Sequence, residues 1–125
     1  MLVGVSQPTT ISRPWGLYVT LDEGPHHKTK RIEVYRGGRL SYQRHSFRSE
    51  HWFVVLGQAT VEIDGNIHDL GPGQAIDIPR GSAHRVSNQS PETLVFIEVQ
   101  TGSYFGEDDI VRLSDDYGRA DDDQA

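Results

Sequence analysis

Apolar and polar residues alternate along most of this chain, and they do so in short runs. From Lys28 onward the runs read KTKRIEVY, LSYQRHSF, HWFVVLG, ATVEIDG, NIHDLG, AIDIPRG, HRVSNQ and LVFIEVQTG. A period of two sends successive side chains to opposite faces of a strand, and the runs are rich in the branched and aromatic residues that suit a pleated surface. Gly, Pro, Asn or Asp separates them, as strand boundaries require. Asp64-Gly65, between ATVEI and NIHDL, predicts a two-residue hairpin, because a type I′ turn needs two residues that tolerate positive φ. Leu17 to Leu21 is a candidate first strand. It follows a turn at Arg13–Gly16 (RPWG), where Pro14 fixes its own φ and biases Arg13 towards extended geometry. No long segment carries helical periodicity, and only GEDDIVRLSDDYGR (106–119) is read as a helix or helical turn.

Many short strands at regular spacing predict an all-β sandwich or barrel, with a jelly roll the natural choice. The expected layout is an N-terminal arm over 1–12, a barrel domain over 13–119 that ends in a short helical segment, and an acidic tail over 120–125. At 125 residues the chain is one domain by length. Thirteen glycines and six prolines agree with that punctuation.

Composition narrows the function classes. Cysteine is absent, which excludes disulfides and thiolate zinc sites and fits a reducing cytoplasm, the expected location. No apolar run is long enough to span a bilayer, and MLVGVSQPTT lacks the basic region of a signal peptide. The net charge of −6, with no basic stripe, argues against nucleic acid as a partner.

Candidate chemistry comes from strand parity. Gln43 and His45 are two apart, so on one strand both point to the same face. Glu50 follows after a short turn, and His84 arrives on a later strand behind PRGSAH, where Pro79 and Gly81 form a turn. A mixed nitrogen and oxygen set with room for water or substrate suits a divalent metal, and Zn, Mn, Fe, Co and Ni all remain open. Gln43 is the weak member: an amide is a poor ligand and alternatively hydrogen-bonds a bound water. Taken singly, His45 and His84 also read as ordinary polar residues at strand ends. Arg48, between His45 and Glu50, either holds a substrate anion or braces Glu50. Lys30 shares parity with Ile32 and Val34, so it either enters the barrel or snorkels at its rim. His51 alternates away from Glu50. Tyr42, Trp52, Phe53 and Phe96 read as core or rim packing.

The same residues carry a resemblance. Gly37, five residues, Gln43 and His45, four residues, Glu50, six residues and Gly57 match the first motif of the cupins. Gly73, five residues, Pro79, Gly81, His84 and Asn88 match the second. Gln43 stands where most cupins have a histidine. Together RPWG (13–16), QRHSFRSEHW (43–52) and GEDDIVRLSDDYGR (106–119) resemble the C-terminal cupin domain of type II phosphomannose isomerases, over about Arg13 to Arg119. HSF at 45–47 departs from the histidine-rich version common in the bifunctional members.

The resemblance implies a metal-dependent aldose–ketose isomerase interconverting mannose 6-phosphate and fructose 6-phosphate through an enediolate. A divalent ion held by Gln43, His45, Glu50 and His84 would polarise the carbonyl. Glu50 and Lys30 are the candidates for the catalytic base. Arg48, Arg112 and Arg119 are the candidates for phosphate binding, although Arg112 and Arg119 equally suit ion pairs with the neighbouring aspartates. The expected partner is a small sugar phosphate, and a homodimer is expected because exposed strand edges are usually covered. A second reading is a non-catalytic metal cupin that binds a sugar or sugar phosphate. In many relatives such a domain follows a sugar-nucleotide pyrophosphorylase domain, for which 125 residues leave no room, and this favours the second reading. A third is an iron cupin using dioxygen on a small organic acid or phenol, which the Gln43 substitution weakens.

Overall fold

A computed structural model describes residues 9–118, in which eleven strands and no helix are formed. In chain order they are β1 Thr10–Arg13, β2 Gly16–Glu23, β3 His27–Val34, β4 Tyr42–Arg44, β5 Arg48–Leu56, β6 Ala59–Ile63, β7 Asn66–Leu70, β8 Ala75–Ile78, β9 His84–Ser87, β10 Leu94–Gly102 and β11 Val111–Ser114. All pairings are antiparallel. One sheet has the order β1-β2-β3-β10-β5-β8 and the other β11-β4-β9-β6-β7. This is the two-sheet jelly roll that the spacing of the runs predicts.

The inner face of the six-stranded sheet is graded from apolar to polar. Leu94 lies opposite Val34, and Phe96 lies between Ile32 and Val54. One row further on, Glu98 lies between Lys30 and Trp52, and in the next Gln100 faces Glu50. The apolar rows pack in one cluster with Val61, Val86 and Ala59 of the facing sheet and with Leu40 and Trp15. The polar rows sit at the other end, and Lys30, Arg48, Glu50, Glu98 and Gln100 are all buried there. One barrel therefore contains a dry core and a buried polar chamber on the same strands.

The hairpin expected at Asp64-Gly65 is present, with φ of 47° and 87° and Ile63 paired to Asn66. Its position matters, because Asp64 Oδ1 accepts the Ala83 N–H at 2.9 Å and so fixes the entry to β9 beside His84.

The C-terminal segment departs from expectation. GEDDIVRLSDDYGR is not helical over its described part: 111–114 is strand β11, paired with β4 from Val111 to Ser114. Alternating Val111 and Leu113 at an open sheet edge gain ladder hydrogen bonds from β4 that an isolated short helix lacks. Strand β1 begins at Thr10, within the stretch expected as an arm. Residues 1–8 of that arm and the acidic tail 120–125 lie outside the described residues.

Asn88 ties the two glycine-bounded motifs together. Its Nδ2 donates to the carbonyls of Val34 (2.9 Å) and Glu92 (2.8 Å), while Oδ1 accepts from Ser90 N (3.0 Å) and Ser90 Oγ (2.7 Å). Its backbone exchanges hydrogen bonds with Gly37 and Gly38. A buried acceptor left without its donor is expensive, so Asn88→Leu is expected to cost on the order of 3 kcal/mol. The loss should appear as a lower urea midpoint with an unchanged slope.

Candidate metal centre

Strand parity and two turns deliver the ligand atoms. Glu50 points inward from β5 between Arg48 and Trp52, in a strand whose inner positions alternate with exposed ones. His84 opens β9, its Cα registered against Gln43 on β4. His45 follows β4 directly. One ligand atom from each of His45, Glu50 and His84 lies within 4.8 Å of the others, and all three residues are buried. His45 Nε2 is 3.2 Å from Glu50 Oε2, and His84 Nε2 is 3.9 Å from Glu50 Oε1.

The imidazoles are oriented by backbone. His45 Nδ1 lies 2.6 Å from the Asp109 carbonyl and His84 Nδ1 lies 3.0 Å from the Ser82 carbonyl. A carbonyl only accepts, so each Nδ1 carries the proton and each Nε2 turns a lone pair towards Glu50. That is the outer-shell arrangement that prepares histidine to bind a metal. The donor set of two imidazoles and one carboxylate, with Gln43 alongside, fits a divalent ion of intermediate softness.

Asp109 builds this arrangement from outside both sheets. Its Oδ1 and Oδ2 accept the N–H groups of Ser46 (2.8 Å) and Phe47 (2.9 Å), fixing the bend that carries His45. Sequence reasoning gave Asp109 no role, since no parity rule reaches a loop residue some sixty positions from the ligand it orients.

Electrostatics sorts the chamber into charged and neutral members. Burial lowers the His45 pKa to about 4; the opposing pull of Glu50 comes next, and Arg48 and His84 add smaller downward contributions, so this imidazole is neutral at pH 7. Burial alone would raise the Glu50 carboxyl. The neighbouring His45 and His84 imidazoles, the Arg48 guanidinium and a hydrogen bond from Glu98 outweigh it, and Glu50 is held well below its usual range. Arg48 Nε at 2.8 Å is the fixed countercharge among these. Glu98 shows the opposite result: burial first, then the neighbouring Glu50, raise it to about 8 despite Lys30. The two carboxyls therefore share one proton, and it resides on Glu98. Trp52 Nε1 bridges them, 2.9 Å from Glu50 Oε1 and 3.1 Å from Glu98 Oε2, and Gln100 donates to Glu98 Oε1 at 2.6 Å.

The structure brings most of the sequence candidates into one pocket. Gln43, His45, Glu50 and His84 line it together with Lys30, Arg48 and Arg112. Lys30 enters the barrel rather than snorkelling, and its Nζ is 2.7 Å from Glu107 Oε2 and 4.1 Å from the centre of the Tyr18 ring. Arg48 braces Glu50 through Nε and also directs Nη2 to His45 Nε2 at 3.3 Å. His51 points outward to Asp77. Arg119 lies outside the described residues. Glu98 and Glu107 also line the pocket and were not foreseen. Glu98 was findable, because it occupies the inward phase of LVFIEVQ with Leu94 and Phe96. Trp52, read as packing, is also a hydrogen-bond donor to the site.

Residues 4–115 match the family model described as mannose-6-phosphate isomerase C-terminal. The chain is 49% identical over 109 residues to the mannose-1-phosphate guanylyltransferase of Escherichia coli K12, covering 87% of this chain and 23% of that protein. It is likewise 49% identical over 109 residues to the alginate biosynthesis protein AlgA of Pseudomonas aeruginosa, again with 87% and 23% covered. Among solved structures, an RmlC-like cupin from Shewanella frigidimarina superposes with a TM-score of 0.68 at 21% identity, covering 77% of this chain and 85% of that one. The fold is a cupin. The chain spans about a quarter of the length of the curated relatives it matches.

These findings correct the activity expected from the sequence. The curated relatives are named for guanylyl transfer to mannose 1-phosphate and for alginate biosynthesis, not for interconversion of mannose 6-phosphate and fructose 6-phosphate. What this chain shares with them is a cupin domain alone. Of the two candidate bases, Lys30 is paired with Glu107, and Glu50 accepts from Arg48 and Trp52.

The shared proton gives a pH signature. The folded-state pKa of Glu98 lies above its unfolded value, so its contribution is complete below about pH 4.5 and is lost as pH rises through about 8. Glu98→Gln keeps an acceptor for Gln100 and cannot ionise. The melting temperature of metal-free Glu98→Gln relative to wild type should therefore increase steadily from pH 5 to pH 8. A constant difference across that range would show that Glu98 is not the protonated partner.

Proposed function

The chain belongs to the mannose-6-phosphate isomerase C-terminal family, and we propose that it is the metal-holding cupin of a mannose-phosphate guanylylation system, binding a phosphorylated sugar beside its ion. His45, Glu50 and His84 would hold one divalent ion, with Gln43 as a further contact. Arg48 and Arg112 would bind the phosphate, as would Arg119. The observation that supports this most is the convergence of three ligand atoms and several cationic side chains on one pocket.

A bound divalent ion supplies Lewis-acid polarisation of a ligand oxygen. The chain's own residues do the rest. Asp109 and Ser82 keep both histidines in the binding tautomer. Arg48 keeps Glu50 ionised. Glu98, protonated beside Glu50, avoids a second negative charge next to that carboxylate. Arginine suits phosphate because its planar fork pairs with two oxygens at once. Among the described residues no helix is long and apolar enough to cross a membrane. The cytoplasmic placement and homodimer expected from the sequence carry over as part of this proposal.

Thermal unfolding of metal-stripped protein tests it. Stoichiometric Mn²⁺, Co²⁺ or Zn²⁺ should raise the melting temperature by several degrees, and His84→Ala should abolish that rise, since a ligand that binds only the folded state stabilises it by mass action. Mannose 1-phosphate should add a further rise that free mannose does not. A wild-type protein indifferent to all three ions would end the metal reading.

A further inference from the structure

Three observations meet at the end of the pocket away from the hydrophobic core. The first is the pairing of Lys30. This lysine is 4% exposed, yet its partner Glu107 has a side chain that is 48% exposed. Glu107 belongs to neither sheet. It comes from the connection between β10 and β11 and reaches into the chamber, where, among the described residues, Lys30 at 2.7 Å and Lys28 at 3.3 Å are its ionic partners.

The second is Arg48. Its Nε serves Glu50 and its Nη2 serves His45, but Nη1 is buried with no hydrogen-bond partner, and the residue is 5% exposed. A buried charged donor without an acceptor is costly in a folded protein, and such groups cluster where a ligand supplies what is missing.

The third is charge. Arg13, Lys30, Arg48 and Arg112 line the pocket against Glu50, Glu98 and Glu107. Four cationic side chains therefore face three carboxyl groups. Burial would raise the Glu107 carboxyl, but Lys30, Arg48 and Lys28 together bring it below its usual value.

We propose that Lys30 and the unpartnered Nη1 of Arg48 form a subsite for a phosphate group, and that the Glu107 carboxylate is its built-in occupant, displaced when a phosphorylated ligand enters. The inference rests on the reading of this pocket as a phosphorylated-sugar site. A phosphate presents three oxygens, enough to accept from an ammonium and a guanidinium N–H together, whereas the carboxylate reaches the lysines alone. Displacement needs only rotation of the Glu107 side chain. The root of its segment is held by the Asp109 clamp on Ser46 and Phe47 and by the Asp109 N–H to the Gly106 carbonyl at 3.1 Å. Glu107 thus sets an affinity threshold: weak anions do not dislodge it, and a phosphorylated ligand does.

Calorimetric titration of the metal-loaded full chain with mannose 1-phosphate and with inorganic phosphate tests this. Glu107→Gln removes the competing charge and should tighten both by roughly tenfold. Glu107→Asp keeps the charge but withdraws it by one methylene, and should fall between the two. Lys30→Met introduced into Glu107→Gln should cancel the gain. Tight binding by the variant where wild type shows none would support the subsite while removing the reading that wild type is a ready receptor. Binding by wild type that Glu107→Gln leaves unchanged or weakens would overturn the subsite and spare that reading. No binding by any of these proteins, each shown folded by its melting transition, would overturn both.

Discussion

A carboxylate buried in the middle of a barrel has to be kept charged without water. Glu50 is 4% exposed, and nearly every unusual contact in this molecule serves it. Arg48 supplies the countercharge and Trp52 gives an N–H to the second oxygen. An unpaired buried charge is among the most destabilising defects a fold can carry. The arrangement around Glu50 is therefore a condition of folding as much as a preparation for binding. Arg48 is what joins the two: the guanidinium that neutralises Glu50 also keeps one buried nitrogen, Nη1, without a hydrogen-bond partner.

The fold meets this condition by dividing its strands lengthwise. Strands β3, β5 and β10 each carry apolar residues at one end of their inward phase and ionisable ones at the other. Registration aligns the halves, so that Ile32, Phe96 and Val54 form one row and Lys30, Glu98 and Trp52 the next. Stability is drawn from the apolar rows. That leaves the polar rows free to hold groups whose preferred partners are not all within the chain. Trp52 stands at the boundary, stacked near Phe96 on one side and donating to two carboxyls on the other.

Much of this was legible in the sequence because a period of two is a geometric rule. It put Lys30 with Ile32 and Val34 and turned His51 away from Glu50, while turn chemistry set the hairpin at Asp64-Gly65, all of which the structure shows. The same rule, applied to LVFIEVQ, points to Glu98. It fails in two places. The segment after Gly102 has no internal periodicity strong enough to separate a helix from an edge strand, and the outcome was decided by an open edge on β4, which is tertiary information. The roles of Glu107 and Asp109 depend on where that segment crosses the barrel mouth, and no local pattern encodes a crossing. The activity inferred from the family resemblance also went further than a domain match carries, since the relatives extend well beyond the matched part.

The pairing of β4 with β9 bears on how this molecule breathes. Registered pairing there is confined to Gln43 and His84, with a separate bridge at Arg39 and Ser87, whereas β6 and β9 pair over four consecutive residues. The five-stranded sheet therefore has a seam, and β4 and β11 form the flap on its far side. Such a flap is a natural unit of sub-global opening, with a free energy below that of the whole domain. His45 lies on the flap side of the seam and His84 on the other, so anything binding both spans it. In kinetic terms the site is a latch. Its occupancy would govern how often the amides of β4 and β11 meet solvent, while the exchange of β3, β5 and β10 continues to follow global unfolding.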